Sequence, residues 1–400
     1  MLPYGRQAID AEDIAAVARV LRSDFLTTGP ATDAFENALA RQTGAAFAIG
    51  CSSGTAALHL AALALGLGPG DLVVVPTVTF LATANAARYV GAEVVFADVA
   101  PETGLMGPME LSRALESARS RDGKARAVFP VHLGGQSPDL PGLRDIARRH
   151  DLFLVEDACH ALGTTYADDA GRTFRAGACD HSDMAAFSFH PVKTITTGEG
   201  GAVTTNDAAL AARLRDYRNH GMTRDRERFA NADMAFAADG SVNPWYYEMA
   251  EPGFNFRASD IQCALGLSQL DKLSRFVEAR RNLVARYDSL IAPLAPVVRP
   301  LGRTPGCRPG WHLYIVLVDF AAAGVDRAQV MNRLKDRGVG TQVHYIPVHR
   351  QPYYRGRYGE SDLPGADAYY QRCLTLPLHP GMAERDVERV VETLRGLLAV

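Results

Sequence analysis

Between residues 45 and 205, short apolar runs alternate with longer stretches of helical period. FAIGC gives way to TAALHLAALAL, DLVVVP to FLATANAARYV, EVVFADV to MELSRALESA, and RAVFPVH to LPGLRDIARRH; LFLVEDA follows. Runs this apolar predict strands buried on both faces. A helix between consecutive strands predicts parallel connections, so the pattern predicts a doubly wound, mostly parallel α/β sheet. Such sheets bind ligands beyond the carboxyl ends of their strands. Asp98, His132, Asp157 and Ser188 fall at or just past predicted strand ends and are site candidates by position.

The pattern changes at residue 223. TRDRERFANADMAFAADGSVNPWYYEMA has no period, mixes charge with Trp245, Tyr246 and Tyr247, and predicts an irregular excursion. One long helix is then expected from Ala258 to about Leu290. After it, HLYIVLVD predicts a strand, and VDRAQVMNRLKDRG a helix with Asp326 as N-cap and Gly338 at its end. VGTQVHYIP predicts another strand, and ERDVERVVETLRGLLA a closing amphipathic helix. The expected division is a large α/β domain over 1–250 and a smaller α+β domain over 251–400.

Composition narrows the function. A chain of 400 residues that is 47% apolar and 22% charged has material for a large core, and its net charge of −3 offers no surface for nucleic acid. No apolar run is long enough to span a membrane. The start, MLPYGRQAID, turns polar too early for a signal peptide. Cys51, Cys159, Cys179, Cys263, Cys307 and Cys373 are scattered, as expected of reduced thiols in a cytoplasmic protein.

Three stretches carry chemistry. In SFHPVKTITTGEGGAV, Lys193 lies five residues after Ser188 and just before a glycine-rich run. Alone it reads as a loop lysine whose stem snorkels to water. A lysine shielded from water is instead a nucleophile suited to an aldehyde. In CSSGTAAL a strand ends and a helix begins, so the N–H groups of Gly54, Thr55 and Ala56 form either a phosphate site or a plain tight turn. It is neither the dinucleotide fingerprint nor the P-loop. In VEDACHA, Asp157 ends an apolar strand and needs a cation, such as a protonated pyridine or a neighbouring arginine. Phe80 at a further strand end either covers the face of a ring or belongs to the core. A zinc reading of Cys159-His160 and Cys179-x-His181 fails on spacing, because adjacent residues on an extended chain point apart. Taken in order, cradle, Asp157, Ser188 and Lys193 suit pyridoxal 5′-phosphate (PLP), with Lys193 as its Schiff-base lysine.

These motifs, with SDFLTTGP, PTVTFLATANA, NFRASDIQCALGLSQL and VHYIPVH, resemble the fold-type-I PLP-dependent nucleotide-sugar aminotransferases from YGRQAID to PLHPGM. The resemblance implies Lys193 as the catalytic lysine, Asp157 as partner of the pyridinium and Ser188 as a phosphate ligand. It implies His160 at the cofactor's 3′-oxygen and Phe80 stacked on the ring. It also implies that Asn255, with Arg257 as a second candidate, reaches the phosphate of the other subunit in a homodimer with shared sites. PYGRQAIDAEDIAAV and QVHYIPVHRQPYY most resemble the C4 aminotransferases of pseudaminic acid biosynthesis. Those act on a UDP-4-keto-6-deoxy-N-acetyl sugar, with glutamate as donor and the cofactor cycling through pyridoxamine phosphate (PMP). Thr27, Thr28, His344 and Tyr345 are the expected substrate contacts, and Arg6, His344 and His349 the expected donors to the sugar diphosphate. Other nucleotide keto-sugars, or a non-enzymatic PLP-binding regulator, are the alternatives. A branch that lost amination carries histidine in place of the lysine, and Lys193 argues against it.

Overall fold

The computed structural model describes residues 1–398. Helices α1 (Ala11–Leu21) and α2 (Pro30–Thr43) open the chain. The predicted alternation follows as β1 (Phe47–Cys51), α3 (Gly54–Ala64), β2 (Asp71–Pro76), α4 (Leu81–Tyr89), β3 (Glu93–Ala97), α5 (Pro108–Ala118), β4 (Lys124–Val128), α6 (Leu140–Arg149) and β5 (Phe153–Asp157). A small antiparallel pair, β6 (Thr165–Ala167) and β7 (Thr173–Arg175), precedes β8 (Met184–Ser188), β9 (Gly201–Thr205) and α7 (Ala208–Arg218). Seven strands form one sheet in the order β1-β9-β8-β5-β4-β2-β3. Only β9 is reversed, antiparallel to both β1 and β8. Both faces are covered. Along β2, Val73 and Val75 join the core that contains Leu58 of α3, while Leu72 and Val74 join the core that contains Leu111 and Leu143 of α5 and α6.

The excursion is closed at its base by β10 (Met222–Thr223) and β11 (Glu248–Met249), with the single turn α8 (Ala232–Ala235) between them. Trp245 and Tyr247 on it are exposed. The long helix expected from Ala258 is two helices, α9 (Asp260–Asp271) and α10 (Leu273–Ile291). The break is at Lys272, whose ammonium is buried against Asp10 and against Asp13, 2.9 Å away. There the chain changes partners, because α9 packs on α1 and α2 whereas α10 packs on the last helix.

The remainder builds a second sheet, β12-β13-β14, from β12 (Val298–Pro300), β13 (Tyr314–Val318) and β14 (Cys373–Leu376), all antiparallel. Between β13 and β14 come α11 (Arg327–Asp336), α12 (Pro352–Tyr358) and α13 (Pro364–Arg372), and α14 (Glu384–Leu398) closes the described chain. Tyr287, Val316, Leu334, Leu376 and Leu394 share the core between this sheet and α10, α11 and α14. Asp326 caps α11 as expected, its carboxylate accepting the Gln329 N–H at 2.7 Å. VGTQVHYIP is not a strand. It makes isolated bridges only, Val339 with Leu2 and Gln342 with Thr375, and from Gln342 to Ile346 it lines a cavity. Among the described residues no helix is long and apolar enough to cross a membrane.

One carboxylate locks α2 to α9. The N-cap of α2, Gly29, has no side chain to offer. Asp260, 1% exposed, supplies both acceptors: Oδ1 takes the Gly29 N–H at 2.8 Å and the Thr32 hydroxyl at 3.1 Å, and Oδ2 takes the Ala31 N–H at 2.9 Å. Asp260→Ala should lower stability by about 2–4 kcal/mol, and Asp260→Asn by about half as much, since one oxygen survives. Equilibrium urea unfolding measures both, and a loss below about 0.5 kcal/mol for the alanine variant would contradict the cap.

Candidate active site

The carboxyl ends of β1, β2, β5 and β8 open into one cavity of about 540 Å³. Lys193 reaches it by way of the reversed strand. The chain leaves β8 at its carboxyl end and re-enters β9 from the same edge, so residues 189–200 form a loop over the site. Phe189 donates its N–H to Gly200 at 2.8 Å and accepts the Thr197 N–H at 3.0 Å, which closes the loop. The buried Phe189 and Ile195 anchor it below. Gly201 is required at its exit, because a Cβ there would lie 2.3 Å from the Ser53 carbonyl oxygen. Burial pushes the Lys193 ammonium below its usual range, with Cys159 and Asp157 opposing. The Lys193 N–H donates to His190 at 2.9 Å, and its carbonyl accepts from the buried Arg280 at 3.2 Å.

At the start of α3, Gly54 and Thr55 line the cavity and carry two of the N–H groups that a helix start leaves without an intrahelical acceptor. Ala56 does not line it, and its N–H is taken by the Ser53 hydroxyl at 3.1 Å. Ser188 lies across the turn, so close that a Cβ on Gly54 would meet its Cβ at 2.7 Å.

Asp157 is 5% exposed and held by two donors, the Thr83 hydroxyl at 2.6 Å on Oδ2 and the Cys159 N–H at 3.2 Å on Oδ1. Burial, with Asp157 adding to it, pushes the Cys159 thiol well above its usual range. Phe80 stands over the cavity, 55% exposed, its ring centroid 6.0 Å from that of Tyr345. His160 accepts the Gly134 N–H on Nδ1 at 3.2 Å, which places its proton on Nε2, 3.1 Å from the Tyr345 oxygen. His312 stacks obliquely on His160 at 4.4 Å. Burial drives both imidazoles well below their usual range and His344 down to about 3, so all three are neutral at pH 7. His344 is fixed through Nδ1 to Thr375 at 2.8 Å.

Of the residues expected at the site, Lys193, Gly54, Thr55, Phe80, Asp157, His160, Ser188, His344 and Tyr345 line this one cavity. Thr27, Thr28, Asn255 and Arg257 lie elsewhere. Thr27 bridges to Ser259, Asn255 bridges to Asn219, and Thr28 and Arg257 line a separate hollow of about 160 Å³. Arg6 is exposed outside the cavity, and His349 is buried against Thr77 at 2.7 Å. Two positional candidates are structural. Asp98 caps α13 through the Gly365 and Ala366 N–H groups at 2.9 and 2.7 Å. His132 is buried 2.9 Å from Glu156. Tyr4, Thr83 and His312 were not expected at the site. Thr83 reads as one more small residue in an alanine-rich helix, and its signal is a hydroxyl on a buried face. Among the described residues no three His, Cys, Asp or Glu side chains converge as metal ligands.

The cavity joins an amine, a buried carboxylate and free helix-start N–H groups around one hollow, a donor set that fits PLP. The chain is similar to known proteins over nearly its whole length. Spore coat polysaccharide biosynthesis protein SpsC of Bacillus subtilis is 39% identical over 99% of this chain and 97% of its own. Helicobacter pylori PseC, an aminotransferase involved in pseudaminic acid biosynthesis, superposes with a TM-score of 0.87 at 27% identity, covering 100% of this chain and 99% of its own. The putative sugar aminotransferase Spr1654 of Streptococcus pneumoniae, solved in PLP and PMP forms, gives TM-scores of 0.84 and 0.85 at 29% identity, covering 100% of this chain and 98% and 99% of its own. Matched by the family model from residue 7 to residue 395, the chain belongs to the DegT/DnrJ/EryC1/StrS aminotransferase family, and it is a PLP-dependent sugar aminotransferase of fold type I whose cofactor cycles through PMP.

Proposed function

We infer that the protein moves the amino group of glutamate to C4 of a UDP-4-keto-6-deoxy-N-acetyl sugar, a step of the pseudaminic acid type. The observation that carries the amino transfer is the convergence of Lys193, Asp157, Ser188, Gly54 and Thr55 on one cavity. The similarity to PseC, together with the resemblance of PYGRQAID and VHYIPVHRQPYY, supports the sugar. Bound there, PLP supplies a ring that accepts electrons from the donor's α-carbon and a C4′ that carries the amino group to the ketone. The Gly54 and Thr55 N–H groups and the Ser188 hydroxyl hold the phosphate. Lys193 would hold the cofactor through Nζ, and its free amine would move the proton of the transfer. Asp157 keeps a proton on the ring nitrogen. Phe80 would cover one ring face, and His160, whose Nε2 meets the Tyr345 hydroxyl, would lie on the side of the 3′-oxygen. His344 and Tyr345, which line the cavity, are the residues assigned to the sugar.

Among the described residues no arginine lines the cavity, yet a phosphate, two carboxylates and a diphosphate need cations. Thr27, Thr28, Asn255 and Arg257 gather on another part of the surface, as expected if they serve the cavity of a second copy. This supports a homodimer with shared sites. The six unpaired cysteines support a reducing, cytoplasmic setting.

The protein loaded with PLP should be yellow and change its absorbance when glutamate is added. Lys193→Ala should still bind the cofactor through the phosphate contacts but lose about 10³-fold or more in turnover. Wild-type-like turnover by that variant would remove the assignment. Because burial lowers the Lys193 ammonium, covalent capture of PLP by the cofactor-free protein should rise with pH through a midpoint below the ordinary 10.5. A midpoint at or above that value would show the amine to be solvated. Protein in the PMP form, given UDP-4-keto-6-deoxy-N-acetyl sugars, should release a 4-amino sugar and prefer the L-arabino ketone, as read by NMR. A 3-amino product, or faster turnover of a dTDP-3-keto sugar, would retain the aminotransferase and overturn the sugar.

A further inference from the structure

Two hydroxyls at the start of α4, Thr83 in its first turn and Thr79 just before its N-cap Phe80, have no place in the assignments above. Thr79 and Thr83 are 1% and 0% exposed, and their oxygens lie 2.7 Å apart. Thr83 also lies 2.6 Å from Asp157 Oδ2, and more loosely, at 3.3 Å, from the Phe80 carbonyl. A hydroxyl has one proton to give. An ionised carboxylate only accepts, and the shorter, charge-assisted contact takes that proton. Thr83 is therefore the donor to Asp157, and Thr79 is the donor to Thr83. The direction of the chain, Thr79 to Thr83 to Asp157, follows from counting protons.

Phe80 occupies the same turn, three residues before Thr83 and one after Thr79. One helix start thus places the exposed ring over the cavity and the hydroxyl against the carboxylate below it. A buried hydroxyl that needed only satisfaction had the Phe80 carbonyl at hand, yet it sits closer to Asp157. Successive hydrogen bonds in a dry interior polarise one another and fix the last acceptor's orientation.

We propose that Thr83, backed by Thr79, is a positioning residue that orients the Asp157 carboxylate toward the ring nitrogen of the cofactor. The proposal rests on the assignment of Asp157 given above. Thr83 touches neither cofactor nor substrate. It acts by holding Oδ2, so that the carboxylate plane cannot rotate away from the pyridine edge. The Cys159 N–H at Oδ1, longer at 3.2 Å, is the weaker restraint.

The test loads wild type and variants with PLP labelled with ¹⁵N in the ring and records the nitrogen resonance beside the glutamate half-reaction. Thr83→Val keeps the shape and removes the donor. It should move the resonance toward the unprotonated range and slow the half-reaction about tenfold, with the glutamate KM within about twofold. Thr83→Ser should restore both. Thr79→Val, which leaves the Thr83–Asp157 bond in place, should shift the resonance the same way by less, and it carries the test should Thr83→Val fail to fold. A wild-type resonance in Thr83→Val, while Asp157→Asn moves it, overturns the proposal and leaves Asp157 in its role. A wild-type resonance in Asp157→Asn instead overturns the Asp157 assignment and this proposal with it.

Discussion

The antiparallel pairing of β9 between β1 and β8 is the constraint on which the cavity depends. Had β9 run parallel like its neighbours, the chain after Ser188 would need a crossover to the far edge of the sheet. The loop would then leave the carboxyl edge, and Lys193 with it. The reversal instead folds residues 189–200 back over the strand ends, with the Ser188–Gly201 register pair at the base. It also brings Gly201 against Ser53, so the loop that carries the lysine and the turn at the start of α3 are built on one another.

Around that edge, buried acids take the strain of joining layers. Asp260 closes the start of α2, Glu36 accepts the Gly50 N–H at 2.8 Å beside Arg218, and Glu156 accepts the Ser182 hydroxyl at 2.6 Å beside His132. Each is a carboxylate out of water that is satisfied by donors from elements distant in sequence. Asp157 belongs to the same pattern in how it is held, by Thr83 and by Cys159 N–H. It differs in facing an open cavity.

Much of this was legible from the chain. The paired apolar runs located the strands β1 to β5 and their helices, because strands buried on both faces leave continuous hydrophobic segments. The reversal of β9 left no such trace, since GAVTT is buried along its whole length like its parallel neighbours and direction is set by the loop. CLTL, only four residues long and directly after α13, was too short to announce β14. VGTQVHYIP alternates like a strand but lines the cavity, which copies the period without the pairing. Lys193, Asp157 and Ser188 were visible because each breaks an apolar context. Thr83 and His312 were not, because one hides among alanines and the other opens HLYIVLVD and reads as the first residue of a strand.

The cavity holds two nucleophiles side by side, and an aldehyde entering it faces a choice between nitrogen and sulfur. In water at neutral pH the thiol has the advantage, since a larger fraction of it is ionised than of the amine is free. Desolvation works against that order without any change of residue. It disfavours charge, so the lysine moves toward its neutral, reactive amine and Cys159 toward its neutral, unreactive thiol. The same dry wall thereby favours the amine and disfavours the thiol that lines the cavity with it.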